Sequence, residues 1–522
     1  MSGQSGGLAT SAGNVLEHAL ATDPRHQALV SADAQLTYEE LDQAADRAAS
    51  ALGTLGVKRH DVVAVSLPNA SDVVVTFHAV MRLGAVWLGV NRNLAPPEKA
   101  YILRDSGASL LLASPDVGAT LNSDGDAAPS TPITVVGGED DDWRGMVASA
   151  PSTYRRPLCG ATDPAGIAYT SGTTGRPKGV VHSHRNLLLP GAMVVEARRL
   201  GPDLRKGDCA VLTILNMQIT STLLVAQACG TQIVMDRVDP LGVAEWVKKA
   251  SINSWFGVPT ILQGLTTASE LDAQDLSTLR DVWTGGTHLP EPIRHAFEER
   301  FGCRVSATYG LTEAPTIVTM EDTAEGRVPE SSGQPLPHLL VEIRGEDGVL
   351  PVGEIGEITV RAAETGPFAG LYQPMLGYLG HPEATAQVVR NGALYTGDVG
   401  FVDPEGRLFV RDRRNALILR GGANVYPAEV ERVLLEAPGV RGVSVIGVPD
   451  DRLGQRVAAA IEPNDGITLG EEQLASYCAS QLARYKVPEL WRIGPLPRNA
   501  MGKVVRTKVE DWFSASGTAS AL

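Results

Sequence analysis

Between residues 36 and 90 the chain alternates two hydrophobic periods, and this alternation restricts the fold more than any other feature. Residues 36–57 read as a helix opened by Thr37 with Glu40 three residues on, a pairing in which each side chain satisfies the other's backbone N–H. Residues 61–67 then form a buried strand, 71–83 a second helical run and 85–90 another apolar segment. Strands alternating with helices predict stacked α/β layers, and the pattern continues to about residue 340.

A chain of 522 residues exceeds the size at which one core keeps growing, so more than one folded unit is expected. Residues 341–360 break into short strands separated by GEDG and PVGEIGE turns, which predicts a smaller β-rich unit ending near Tyr395. Beyond Asp412 the pattern becomes compact α+β: a hairpin over 417–427, a helix over 427–435, a strand over 443–448 and a helix over 474–482. Val430, Val433 and Leu434 share one face of the 427–435 helix, as packing on a sheet requires. The expected fold class is therefore α/β, with a large N-terminal domain of stacked layers plus a β-rich subdomain over 1–411, and a small α+β C-terminal domain over 412–522.

An apolar share of 43% and a charged share of 20% describe an ordinary globular chain. With 45 Lys and Arg against 60 Asp and Glu, the net charge of −15 repels nucleic acid, so no nucleic-acid partner is expected. The five cysteines are scattered without metal-type spacing, the start lacks a signal-peptide pattern, and no run reaches the ~20 apolar residues of a membrane span. A cytoplasmic protein is expected.

The strongest chemical signal follows the apolar run 166–168. It comprises Tyr169, Thr170, Ser171, Gly172, Thr173, Thr174, Gly175, Arg176, Pro177, Lys178, Gly179 and Val180. Glycines let backbone N–H groups approach an anion, hydroxyls add donors and Lys178 adds charge, so the string suits a polyphosphate. It is not a Walker A loop, because Lys178 precedes Gly179 and no Ser or Thr follows. The alternative is a flexible surface loop. His182 and His184 have no nearby Cys or carboxylate to complete a metal site and read as structural.

Together with further motifs in fixed order, this string resembles the acyl-adenylate-forming (AMP-binding) superfamily, in its acyl-CoA synthetase, or acid:CoA ligase, branch. The motifs are Tyr309-Gly310-Leu311-Thr312-Glu313, Tyr395-Thr396-Gly397-Asp398, Asp412-Arg413, Gly421-Gly422-Ala423-Asn424-Val425-Tyr426-Pro427 and Pro497-Arg498-Asn499-Ala500-Met501-Gly502-Lys503. The resemblance implies ATP, Mg²⁺ and coenzyme A as co-substrate, acting on a small-molecule carboxylic acid. An acyl carrier protein or a separate ligase is the alternative acceptor of the adenylate.

The same resemblance implies roles for individual residues. Glu313 would ligate Mg²⁺ and Thr312 would reach the α-phosphate. Tyr309 would stack on adenine against the backbone of Gly285, Gly286 and Thr287. Asp398 and Arg413 would hold the ribose, although both residue types also form plain surface ion pairs. Lys503 would stabilise the charge on the transferring group. Asp412 would be the hinge of a mobile C-terminal domain, and Gly421 and Gly422 would line the CoA path. Gln218, Ile219, Gly257 and Gly285 would line the acyl pocket, Gln218 reading equally as a buried, satisfied amide. Two departures stand out: residues 215–222 lack the His or aromatic side chain that many relatives carry there, and Ala307 stands where many have Asn.

Overall fold

The computed structural model describes residues 9–122, 130–138, 141–170, 177–285, 289–322, 327–413, 416, 418–420, 423–450, 452–499 and 502–514. The chain packs as two compact units. One comprises Met1–Leu289, Ile293–Val341 and Val360–Tyr395; the other comprises Pro290–Pro292, Glu342–Thr359 and Thr396–Leu522.

The predicted alternation forms in the first unit. Thr37 caps the helix Tyr38–Thr54: its Oγ1 accepts from Glu40 N at 3.2 Å while Glu40 Oε2 accepts from Thr37 N at 2.8 Å. The strand Val62–Ser66, the helix Ser71–Leu83 and the strand Val86–Gly89 follow. Both strands enter a seven-stranded sheet, ordered Gly377–Tyr378, Lys178–Ser183, Pro164–Thr170, Val86–Gly89, Val62–Ser66, Leu110–Ala113 and Ile133–Val135. The strands from Pro164–Thr170 onward run parallel, and the first two are antiparallel additions.

A nine-stranded sheet runs Gln334–Pro335, Thr316–Met320, Val305–Leu311, Asp281–Gly285, Ser254–Phe256, Arg205–Asp208, Thr231–Val234, Gln27–Val30 and Gln35–Thr37. Its inner strands are parallel, which needs helical crossovers and leaves loops at their carboxyl ends. Phe77 and Trp87, both fully buried, meet edge to face at 5.2 Å between ring centroids, and Phe77→Ala would cost about 3–5 kcal/mol.

In the second unit the strand Ala393–Val402 pairs antiparallel with Leu408–Arg413, tying residues 396–402 to the strand that carries Asp412. A further sheet orders Ala423–Val425, Ile418–Arg420, Gly454–Pro463 and Val440–Asp450, with Leu490–Ile493 beside Gly454–Pro463. Side chains alternate across it as a pleat dictates. Val445, Val457, Ala459 and Ile461 face Val430, Val433 and Leu434 of the helix Pro427–Leu435, whereas Ile446, Ala458 and Ala460 face Val509 and Phe513 of the helix Arg506–Ser514. Among the described residues no helix is long and apolar enough to cross a membrane.

Candidate active site

The strands Pro164–Thr170 and Lys178–Ser183 form an antiparallel hairpin in which Thr170 lies opposite Lys178. The string expected to grip phosphate therefore connects two paired strands. Ser171, Gly172, Thr173, Thr174 and Gly175 lie outside the described residues, as do Gly286, Thr287, Gly421 and Gly422. The hairpin's end is braced from the helix Pro96–Ser106: Tyr169 OH donates to Asp105 Oδ2 at 2.6 Å, and Tyr101 OH donates to the Pro177 carbonyl at 3.0 Å. Gly179 packs on the Tyr169 ring, where an added Cβ would meet ring carbon at 3.2 Å.

A second hairpin holds the Tyr309–Glu313 motif. The strands Val305–Leu311 and Thr316–Met320 pair with an irregularity between Tyr309 and Gly310, and Thr312 and Glu313 occupy the turn. Glycine is required at 310 by contact: a Cβ there would lie 1.6 Å from the Thr316 carbonyl oxygen. Gly285 also lies close to the neighbouring strand, its notional Cβ falling 2.3 Å from Thr308 Oγ1. Gly257 N donates to the Trp283 carbonyl at 2.9 Å, so Gly257, Gly285 and the Tyr309 strand are gathered at the carboxyl ends of adjacent parallel strands. That edge is where open α/β sheets place ligands. Ala307 lies in the same strand, its N–H donating to Glu321 Oε2 at 2.6 Å.

Tyr378 joins the two hairpins. Its hydroxyl donates to Glu313 Oε1 at 2.9 Å, and Lys178 Nζ stands 5.3 Å from its ring centroid. The backbone repeats the link, since Met375 N donates to the Glu313 carbonyl at 3.0 Å and Leu379 N to the Gly179 carbonyl at 2.8 Å. His182 shares a strand face with Lys178. It is wholly buried, and burial pushes its pKa down to about 4 while the Thr312 backbone draws it partly back. His184, also held near 4 by burial, accepts from Ala12 N through Nδ1 at 3.3 Å. Sequence reasoning missed Tyr378, Tyr101 and Asp105; the ring between Gly377 and the apolar Leu379 carries no periodic signal, and its partners are distant in sequence.

The expected acyl residues sit deeper. Gln218 begins a π-helical stretch, Gln218–Leu223, that the apolar pattern did not foretell. Gln218 is fully buried and its Nε2 donates to the Leu212 carbonyl at 2.5 Å, but its Oε1 meets no donor among the described residues. Ile219 is fully buried in the same core cluster as Leu215 and Met217, with Phe256 packed against it.

In the second unit Asp398 and Arg413 are directly opposite across the ladder of Ala393–Val402 and Leu408–Arg413. Asp398 is buried, its N–H bonded to Thr396 Oγ1 at 3.0 Å. Asp412 Oδ2 accepts from Ala428 N at 2.8 Å, at the start of the helix Pro427–Leu435. Lys503 stands in a tight hairpin that its own motif residues close. Asn499 N donates to the Lys503 carbonyl at 2.8 Å, Lys503 N donates to Asn499 Oδ1 at 3.0 Å, and Gly502 turns the chain with φ +77°. Arg498 anchors the hairpin, bonding the Gly502 carbonyl at 3.0 Å and Glu462 Oε2 at 2.6 Å.

Residues 16–378 match the family of AMP-binding enzymes, and residues 429–503 match the AMP-binding enzyme C-terminal domain. A long-chain-fatty-acid–CoA ligase of Mycobacterium tuberculosis is 32% identical over 97% of this chain and 99% of its own. A feruloyl-CoA synthase of an Amycolatopsis species is 35% identical over 92% and 94%, and a fatty acid–[acyl-carrier-protein] ligase of Streptomyces coeruleorubidus is 32% identical over 93% and 95%. Among solved structures, an anthranilate CoA ligase in complex with anthranoyl-AMP superimposes with a TM-score of 0.88 at 26% identity, covering 100% of both chains. With both of its family segments matched in order and its relatives aligned over nearly their whole length, the chain belongs to the AMP-binding enzyme family, in its acyl-adenylate-forming acid:CoA ligase branch.

Proposed function

We propose that Lys178, Tyr378 and Glu313 form the anionic-substrate end of the adenylation site. The observation that carries this reading is the shared contact through Tyr378, which couples the cation beside the phosphate string to the carboxylate of the second hairpin. The overall reaction is ATP-dependent activation of a carboxylic acid followed by thioester formation with CoA. A carboxylate oxygen attacks the α-phosphorus, the bond to the β-phosphate oxygen breaks and pyrophosphate leaves; the CoA thiol then attacks the acyl carbon and AMP leaves.

In this reading Ser171, Gly172, Thr173, Thr174 and Gly175, with Thr170 and Lys178, hold the phosphates through donors that need no global positive charge. Thr312 donates toward the α-phosphate. Tyr309 stacks on adenine beside Gly310, Gly285, Gly286 and Thr287, and Asp398 with Arg413 holds the ribose. Gln218, Ile219 and Gly257 line the acyl side.

The donor set fits Mg²⁺. Glu313 is a hard carboxylate donor with one oxygen fixed by Tyr378, and it would hold the ion alongside the bound nucleotide. When bound, the ion neutralises charge on the phosphate oxygens. Lys503 supplies the remaining positive charge as the α-phosphoryl group passes through its transition state. We assign the mobile domain to residues 412–522 with Asp412 as its hinge, the move bringing Gly421 and Gly422 to the CoA path for the second half-reaction.

The fatty acid–[acyl-carrier-protein] relative keeps a second acceptor in view, a carrier protein in place of CoA. One assay decides both points. The protein is incubated with ATP, Mg²⁺ and a panel of fatty and aryl acids, following pyrophosphate exchange and then AMP release with and without CoA. Exchange with CoA-dependent AMP release is expected. Exchange without CoA turnover would select the carrier protein, and nucleotide binding with no exchange for any acid would overturn the assigned site.

A further inference from the structure

The Lys503 hairpin is anchored on one side through Arg498 to Glu462. Its other side runs into Arg506, the first residue of the helix Arg506–Ser514, three positions beyond Lys503. Arg506 Nη2 donates to the Val445 carbonyl, and Glu431 Oε1 accepts from the N–H of the same Val445 at 2.7 Å. Val445 lies in Val440–Asp450, the edge strand of its sheet, so these outward groups have no strand partner. Glu431 and Arg506 take that place. Glu431 lies on the helix Pro427–Leu435, and one turn earlier on that helix Ala428 N is bonded to Asp412 Oδ2. A single helical turn therefore connects Asp412 with the strand residue that Arg506 grips.

A carboxylate is a costly choice for this position. An amide would accept the Val445 N–H equally well without placing a charge in a half-buried position. The charged groups facing Glu431 are Arg506, from the last helix, and Asp412, from the strand Leu408–Arg413. Arg506 favours the ionised form and Asp412 opposes it, while burial pushes the carboxyl up to about 7. Glu431 and Arg506 thus hold the two polar groups of one strand residue from two different helices.

We propose that Glu431 is a positioning residue for adenylation: as a carboxylate it braces Arg506 and the strand edge, and so fixes the Lys503 hairpin relative to Asp412. The inference rests on the assignment of Lys503 to the adenylation half-reaction. Loss of the negative charge loosens Arg506 and misplaces the Lys503 ammonium, and a displacement on the order of 1 Å can cost about 10²-fold in rate.

The test measures pyrophosphate exchange against pH for the wild type, Glu431→Gln, Glu431→Asp and Arg506→Gln, with thioester formation from supplied acyl-AMP and CoA measured alongside. Wild-type kcat for exchange should rise through an inflection near pH 7, the value to which burial raises Glu431. Glu431→Gln should lower kcat about tenfold or more with KM for ATP little changed, remove the inflection and spare the thioester step. Glu431→Asp should restore part of the rate. Arg506→Gln should lower kcat for exchange to a similar degree and flatten the inflection, because the carboxylate then has no guanidinium through which to position Lys503. A brace needed only for folding would instead lower both half-reactions together and leave the inflection in place. An inflection that survives Glu431→Gln, or one that persists in Arg506→Gln, overturns the proposal; if Glu431→Gln does not fold, Arg506→Gln decides. Lys503→Ala run in parallel separates the two levels. Exchange that persists in it removes the underlying assignment, whereas its loss with unchanged Glu431 and Arg506 variants removes this inference alone.

Discussion

Tyr378 links the two hairpins of the proposed phosphate end. Its hydroxyl fixes one Glu313 oxygen at 2.9 Å and its ring lies beneath Lys178, so it orients an acid and a base that would otherwise attract each other directly. Removing the hydroxyl leaves Glu313 without that donor, and a hydrogen bond to a charged group contributes about 1.5–3 kcal/mol. Tyr378→Phe is therefore expected to lower kcat/KM for adenylation about tenfold and to raise the Mg²⁺ concentration needed for half-maximal exchange. A titration of exchange rate against Mg²⁺ checks this; an unchanged requirement would show that Tyr378 does not orient Glu313. Glu313, Lys178 and Lys503 could be named as candidates from the sequence because each lies inside a local motif string, the first and last through the family resemblance. Tyr378 could not, because its role arises from strand pairing between segments far apart in the chain.

At the level of elements, hairpins do most of the positioning. Thr170 opposite Lys178, Thr312 and Glu313 in a turn, Asp398 opposite Arg413 and Lys503 closed by Asn499 are four uses of antiparallel pairing to bring motif residues together. Helix and strand identities could be read from period and capping, as Thr37 and Glu40 illustrate, but register could not, since it depends on partners that period does not name. The π-helical stretch Gln218–Leu223 escaped for a related reason: its side chains are those of any buried helix, and only backbone hydrogen bonding distinguishes it. Gly310→Ala tests the hairpin logic. With a Cβ driven to 1.6 Å from the Thr316 carbonyl, the strands must separate. Denaturant unfolding should show a loss of about 1–3 kcal/mol, accompanied by loss of exchange. Unaltered stability would mean that the hairpin tolerates a side chain there.

Across the whole molecule, burial of neutral histidines ties stability to pH. Burial depresses His182 and His184 to about 4, and His78 and His338 to about 3, all below the ordinary value of 6.5. The unfolded chain then takes up protons first, so stability is complete above pH 6.5 and falls as pH drops toward 4, by up to about 1.4 kcal/mol per pH unit for each imidazole. Glu431, raised to about 7 by burial, acts in the opposite sense, as do Asp72 and Asp208, also raised by burial, so the four imidazoles outnumber three opposing carboxyls. Melting temperature should therefore decline between pH 7 and pH 5.5, where ordinary carboxylates do not yet titrate, and a flat or rising profile would contradict this. The central claim is the proposal that Lys503, whose hairpin is closed by Asn499 and anchored by Arg498, presents its ammonium to the transition state of adenylation. Its most direct test is Lys503→Ala, measured by pyrophosphate exchange with an accepted acid and by ATP binding in parallel. The account predicts that exchange is abolished while ATP binds with an affinity within a few-fold of the wild type, since the lysine acts mainly in the transition state; exchange at the wild-type rate would contradict it.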